Sequence, residues 1–314
     1  MRQRKSWLLS VLIAASGGTF AQDASSFMPP QDSVLTYADS LSIFQLIDSL
    51  LMLEEPEAHS QLAVRLAYNS NVLSTGRTLG IDQFGLSPGM SYYHKTGLFA
   101  DVSFYWSNDF EPKYYLTIAS AGYMHSFSNR FSLIAGYDHY FYRFEEDFTP
   151  YSNAITISPF LDFKHVSFRV DYSYYFGEEQ ANRLMPSLSG MFEKRNWLGL
   201  DRVALSPGIS VLFGDATLTE ILFPSTREEW LQAILRSRQG LPWYTLKAER
   251  VFGVMNYSIM LPLSVTRKVW TFNLSYTFNI PKALPGETLT LENSGFLSAS
   301  LTYFINLGRK KTSL

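Results

Sequence analysis

The chain has 314 residues, no Cys and a formal net charge of −2, so disulfides, thiolate metal sites, cysteine nucleophiles and anchoring through a lipidated Cys are excluded. A charge this close to neutral leaves no basic footprint for nucleic acid. Aromatic residues make up 16%, with 24 Phe and 19 Tyr, a share that suits a surface meeting a membrane interface.

The first residues, MRQRKSWLLSVLIAASGGTFAQDA, have the build of a secretory signal peptide. Arg2, Arg4 and Lys5 form the basic end, and Trp7 to Ala15 the apolar run. Thr19 and Ala21 supply a small-x-small cleavage site before Gln22. An apolar run this short cannot anchor the chain, because a spanning helix needs about 20 residues. No later segment is long and apolar enough to span as a helix. If the chain crosses a membrane, it does so with strands.

Residues 22–60 form a polar tether and one amphipathic helix. Leu41, Phe44, Ile47 and Leu51 recur at helical spacing, and Ile43, Leu46, Leu50 and Leu53 widen the stripe. Asp39 or Ser40 suits the start, and Pro56 lies just past the end. Lying before the first strand, the helix is expected on the periplasmic side, packed on the lower rim, plugging the bore, or offering its stripe to a periplasmic or membrane partner.

From Gln61 the hydrophobic period changes to two. In WTFNLSYTFNI, Trp270, Phe272, Leu274, Tyr276 and Phe278 oppose Thr271, Asn273, Ser275, Thr277 and Asn279. Similar alternation gives strands near 61–70, 82–94, 97–107, 113–126, 130–143 and 153–164, then 166–176, 183–193, 197–213, 245–264, 268–280 and 295–307. That is twelve, an even number, and most exceed the usual globular strand. They match the length that crosses a bilayer at a tilt. The connections alternate: short HKTG, SFSN, KH, EKRN and TRK against longer segments, including the insertion 214–244. A soluble sandwich or lipocalin-like barrel is the competing reading. It asks for shorter strands and a charged outer face, whereas here the polar faces are Ser, Thr, Asn and Gly and the charges gather in loops.

The signal peptide and Gln61 to Leu307 together resemble a Gram-negative outer-membrane β-barrel protein. The resemblance is one of architecture. It implies an outer-membrane location, outer-membrane lipid as the surrounding partner, and a twelve-stranded antiparallel transmembrane β-barrel over 61–307 with the N-terminal periplasmic α-helix before it. Such proteins commonly end on an aromatic residue, whereas here Phe304 is followed by INLGRKKTSL, whose residues 308–314 form a basic tail.

In that barrel the expected lumen residues include Arg65, Asp101, Asp138, Asp162, Arg169 and Asp171. Inward charges either line a path for polar solutes or pair and close it. Within 214–244, on the extracellular rim, STREEWLQAILRSRQG reads as a helix opened by a capping box, Ser225 to Glu228, and closed at Gly240. Trp230, Leu231 and Ile234 give it an apolar side, and Arg236 and Arg238 a basic end. It is expected either to cover the mouth or to pack on the rim. His165 and Ser167 in KHVSF resemble the His-x-Ser pair of outer-membrane phospholipases, but sit at a short, periplasmic turn, the wrong rim for outer-leaflet lipid. No His or carboxylate set has metal-ligand spacing, and no cofactor or catalytic residue is expected.

LSPG, at 86–89 and again at 205–208, places Pro and Gly inside strands. Pro88, Pro159, Pro186 and Pro262 lie on strands running toward short turns, where kinks or bulges are expected. The function read from this pattern is a non-enzymatic channel or transporter for small polar solutes. The alternatives are a closed structural or partner-binding barrel and, behind it, a lipid hydrolase. Intact mass of protein isolated from the cell envelope is expected to match a chain beginning at Gln22; a mass retaining Met1 to Ala21 contradicts the cleavage.

Overall fold

The computed structural model describes residues 60–70, 85–108, 112–143, 151–222, 224–238, 242–287 and 291–308. The signal peptide, the amphipathic segment with Leu41, Phe44, Ile47 and Leu51, and the last six residues lie outside these. One helix, α1 (Arg227–Arg238), occurs among the described residues.

The wall is a single antiparallel sheet closed on itself. Its elements are β1 (Gln61–Asn69), β2 (Gly85–Tyr93), β3 (Leu98–Ser107), β4 (Tyr114–Ser126), β5 (Phe131–Tyr142), β6 (Asn153–Phe163) and β7 (Val166–Phe176). There follow β8 (Gln180–Gly190), β9 (Phe192–Trp197), β10 (Leu200–Leu205), β11 (Gly208–Leu222), β12 (Thr245–Arg267), β13 (Trp270–Pro281) and β14 (Ser294–Asn306). From β1 to β8 each strand pairs with the next, β8 then pairs with β11, and β11 with β12. β12 to β14 pair in turn until β14 closes on β1, with Gln61 opposite Asn306 and Arg65 opposite Thr302. β10 and β11 both pair with β12 and act as one strand interrupted at Ser206–Pro207, and β9 prolongs β8 beyond the rim. The wall therefore has twelve staves.

The inside and outside of this wall follow from the two-residue period. Along β1, Ala63, Arg65 and Ala67 are buried while Val64 and Leu66 are exposed. β2 buries Gly85, Ser87, Gly89 and Ser91 and exposes Met90 and Tyr92. Ile155, Ile157, Phe168, Phe272 and Leu301 continue the exposed apolar band around the barrel. A sheet with its large apolar side chains outside and its polar ones inside is the reverse of a soluble barrel. It suits a lipid surround, where closure leaves no unpaired edge in the hydrocarbon.

Short connections gather on one rim: 94–97, 127–130, 164–165, 198–199 and 268–269. In the first, Gly97 has φ +93, and a Cβ there would collide with the Met124 carbonyl, so glycine is required. The fourth replaces the expected EKRN turn. Leu198 and Gly199 have φ 54 and 77, the backbone of a two-residue type I′ hairpin, and EKRN lies within β9 instead. The usable signal was Gly199. Beyond the wall, β9 pairs on one side only, with β10. Arg195 and Arg202 both reach Glu193, the second with Nη2–Oε2 at 2.9 Å. Part-burial raises the Glu193 carboxyl, but hydrogen bonds and charges from these arginines outweigh it and hold it below the ordinary range.

On the opposite rim two connections differ from expectation. The segment GEEQANR shrinks to 177–179, because Gln180 already pairs with Phe176. The insertion expected over 214–244 begins as strand, up to Leu222. Asp215 to Leu222 pair with Phe252 to Thr245, extending the β11–β12 hairpin past its neighbours as a two-stranded ribbon. The capping box of α1 is Thr226 with Glu229, one residue later than expected. Glu229 N–H donates to Thr226 Oγ1 at 3.3 Å, and Glu229 Oε2 accepts from the N–H of Ser225 and of Thr226. Those backbone donors, Ser225 first, hold the Glu229 carboxyl below its usual range.

The prolines do not produce bulges. Ladder pairing lapses at Ser87–Pro88 toward β3, at Ser158–Pro159 toward β7, at Met185–Pro186 toward β11 and opposite Pro262 toward β10–β11, and resumes in the same register. On the other side of each proline the ladder is unbroken. The cause is the missing N–H on one side only. The two register shifts lie elsewhere, at Tyr105/Trp106 and Leu212/Phe213. Pro88→Ala restores the donor facing β3, and hydrogen exchange is expected to show one newly protected amide at residue 88; an amide there that exchanges like a loop contradicts this account.

Candidate functional site

The inner face has three storeys, set by strand register. Nearest the short-turn rim, Phe99, Ile134 and Phe160 pack together with Tyr93 and Met124, and Phe304 joins through Tyr93. The Phe99 ring lies over Gly122, its register partner, where any Cβ would overlap it. Large-beside-small packing of this kind lets a ring lie flat along the wall.

Toward the long-loop rim, Tyr105, Tyr115, Tyr140 and Tyr151 form a buried cluster with Tyr142 and Tyr175 against it. Ring centroids are 6.4 Å apart for Tyr105–Tyr115 and 5.8 Å for Tyr151–Tyr175. The register shift beside Tyr105 turns Tyr115 inward next to Leu116, so two consecutive residues are buried. On the facing wall Met185, Leu212 and Met255 are joined by Leu284 from the β13–β14 connection. Neither layer is legible as such in the sequence, because a strand period alone does not say which inward residues share a height.

Between these layers the inner face is polar throughout. Ser91, Ser103, Ser120, Ser158 and Ser173 line one side, and Ser210, Ser258, Asn273, Ser275, Thr277 and Thr302 the other, all buried. Asn256 Nδ2 donates to Asn279 Oδ1 at 2.9 Å, and Ser258 Oγ donates to the same oxygen at 2.8 Å. This belt holds most of the charged residues anticipated for the lumen.

Arg65, Asp101, Asp138, Asp162, Arg169 and Asp171 all occupy inward positions. Arg65 reaches across β2 to β3: Nη2 donates to Ser103 Oγ at 2.7 Å and lies 3.6 Å from Asp101 Oδ2, with both charged side chains 2% exposed. Asp101 also accepts from Ser91 and from Ser103 Oγ, the latter at 2.8 Å. Gly89 makes this reach possible. It sits in register between Arg65 and Ser103, and a Cβ there would meet Ser103 Oγ at 2.9 Å and Arg65 Nη2 at 3.0 Å. Arg169 Nε donates to Asp171 Oδ1 at 2.7 Å, and Ser158 donates to the same carboxylate.

Asp162 accepts from Ser167 beside the 164–165 turn. That bond commits the Ser167 hydroxyl to a carboxylate and not to His165. Asp138, partly exposed, faces Ser120 in register and makes no ion pair among the described residues.

A further charged group escaped the sequence reading. Asp215, at the base of the ribbon, is held by Arg250 Nη2 at 2.6 Å, by Arg183 Nη1 at 3.5 Å, and by the N–H and side-chain amide of Asn182. Gly214 leaves the space for Arg183, as Gly89 does for Arg65. Placing Asp215 inside the long insertion hid it, although Gly-Asp after a strand was available as a signal.

Comparison with known proteins adds a likeness of build. The chain is similar to the KdgM porin, with 10% identity, 77% of this chain and 98% of that one covered, and a TM-score of 0.43. It is also similar to the NanC porin, with 10% identity, 77% and 98% covered and a TM-score of 0.39. For an outer membrane channel from Pseudomonas putida F1 the identity is 9%, the coverage 81% and 100%, and the TM-score 0.35. At these scores the likeness carries no argument about this chain's lumen or cargo. No family model matches the chain, and no curated relative matches it.

Among the described residues nothing covers the apolar side of α1: Trp230, Leu231, Ile234 and Leu235 are all exposed and only Ala233 is buried. Trp230 stacks on Trp243 at 5.9 Å, Arg236 Nη1 donates to Thr245 Oγ1 at 2.8 Å, and Arg238 is exposed.

Gly89→Ala is expected to cost about 1–3 kcal/mol, through displacement of the Arg65 guanidinium. Urea unfolding of the refolded protein in detergent measures it; an unchanged midpoint would mean the arginine has another place to go.

Proposed function

We propose that this chain spans an outer membrane and conducts small polar solutes through a narrow lumen. The observation that carries the reading is the polar belt. Between two aromatic storeys, the inner wall presents Ser, Thr, Asn and paired charges from staves around the barrel. A barrel built for water would fill this space with apolar side chains and turn its polar face outward. Here the apolar residues lie outside, which supports lipid around the wall, and the polar ones line the interior.

The tyrosine layer and the Phe99–Phe160 layer act as constrictions, so the solutes are small. Hydroxyl and amide groups in the belt replace part of a solute's hydration, and each charge pair there is neutral as a unit. The second reading, a closed barrel with a structural or partner-binding role, is favoured by the same belt's low exposure, with Arg65 and Asp101 both 2% exposed.

Planar-bilayer recording of the purified protein separates the two. Stepwise unitary currents are expected, and Tyr105→Ala combined with Tyr140→Ala is expected to raise them about twofold by opening the upper constriction. Silence from both proteins, with insertion verified, would establish the closed barrel.

A further inference from the structure

We infer that Asp138 makes the lumen selective for cations, an assignment that rests on the channel reading above. Four carboxylates face inward from β3, β5, β6 and β7: Asp101, Asp138, Asp162 and Asp171. Two of them are spent within the wall. Asp101 lies against Arg65 and Asp171 against Arg169, each carboxylate in a web of serine hydroxyls and no more than 6% exposed. A charge matched at such short range presents the lumen with a dipole, whose field decays faster than that of a single charge.

Asp138 is different on three counts. No cation pairs with it among the described residues, it is partly exposed, and its surroundings are small. Ser120 and Ala154 are its cross-strand partners. Two residues along β5 lies Gly136, where a Cβ would meet nothing closer than 3.9 Å. The carboxylate is thus partly exposed among small neighbours, one inward position along the strand from Tyr140 of the upper constriction. The other inward arginine, Arg183, is committed to Asp215, which Arg250 also holds at the base of the ribbon. Arg202 faces Glu193 near the opposite rim.

Within the belt the uncompensated charge is therefore negative and Asp138 supplies it, whereas the two arginines on Asp215 leave one positive charge at the base of the ribbon. A narrow lumen with low-dielectric walls focuses such a field, concentrating cations and excluding anions. Asp162, beside the 164–165 turn and bonded to Ser167, adds negative charge at the mouth, where water screens it more strongly.

Zero-current potentials under a KCl gradient across a bilayer holding the purified protein read the ratio of K⁺ to Cl⁻ permeability. The native protein is expected to favour K⁺ by roughly tenfold. Asp138→Asn is expected to lose most of that preference while keeping its unitary conductance within about twofold, and Asp138→Glu is expected to retain it. Asp162→Asn is expected to shift the ratio much less. A conducting native protein that favours Cl⁻ overturns the assignment and leaves the channel reading standing, as does an unchanged ratio in Asp138→Asn. A native protein that never conducts overturns both. Should Asp138→Asn fail to insert, a changed ratio in Asp138→Glu overturns the assignment and an unchanged one supports it.

Discussion

One constraint shapes this barrel: a sheet whose outer face is apolar must pair its backbone donors and acceptors within itself. Closure of β14 on β1 meets that demand around the circumference. The prolines show how narrowly it is met. Each removes a donor on one side only, each keeps an unbroken ladder on the other, and the register survives. A proline bulge would have rotated the rest of its strand, sending apolar side chains inside and polar ones to the outer face. Losing a ladder bond is the smaller cost.

Turning the polar face inward then creates a second problem, that of charge in a confined space. The barrel solves it with glycine. Gly89 and Gly214 are gaps in the inner surface through which Arg65 reaches a carboxylate two staves away and Arg183 one on the adjacent stave. The same device serves an apolar contact where Phe99 lies over Gly122. Glycine costs strand stability, and in this wall each of these three is opposed by a side chain too large for any other neighbour. LSPG at 86–89 is thus two independent adaptations in adjacent positions: an outward proline that leaves a ladder gap and an inward glycine that admits an arginine.

Much of the architecture was legible because strands in a one-sided environment carry a strict period. Twelve staves, their outer and inner faces and the inward positions of Arg65, Asp101, Asp138, Asp162, Arg169 and Asp171 all follow from alternation. Errors gathered where that period stopped being informative. EKRN is polar on both faces because β9 projects past the wall with water on each side, and it therefore reads as a turn. In the helix, two adjacent capping patterns, Ser225 with Glu228 and Thr226 with Glu229, compete on equal terms, and the backbone settled on the second.

By itself the sequence determined which residues face out and which face in, since that depends only on position along a strand. Which inward residues meet was decided by the tertiary structure. Pairing register sets the height of each side chain, and height separates a phenylalanine storey, a polar belt and a tyrosine storey that alternation cannot distinguish. It also decides which charges cancel. Arg65 reaches Asp101 past Gly89, which lies in register between Arg65 and Ser103, and Asp138, on a strand with the same alternation, meets a serine and an alanine instead. Electrostatic pairing acts across strands, over a few ångströms, at distances in sequence that no local pattern records.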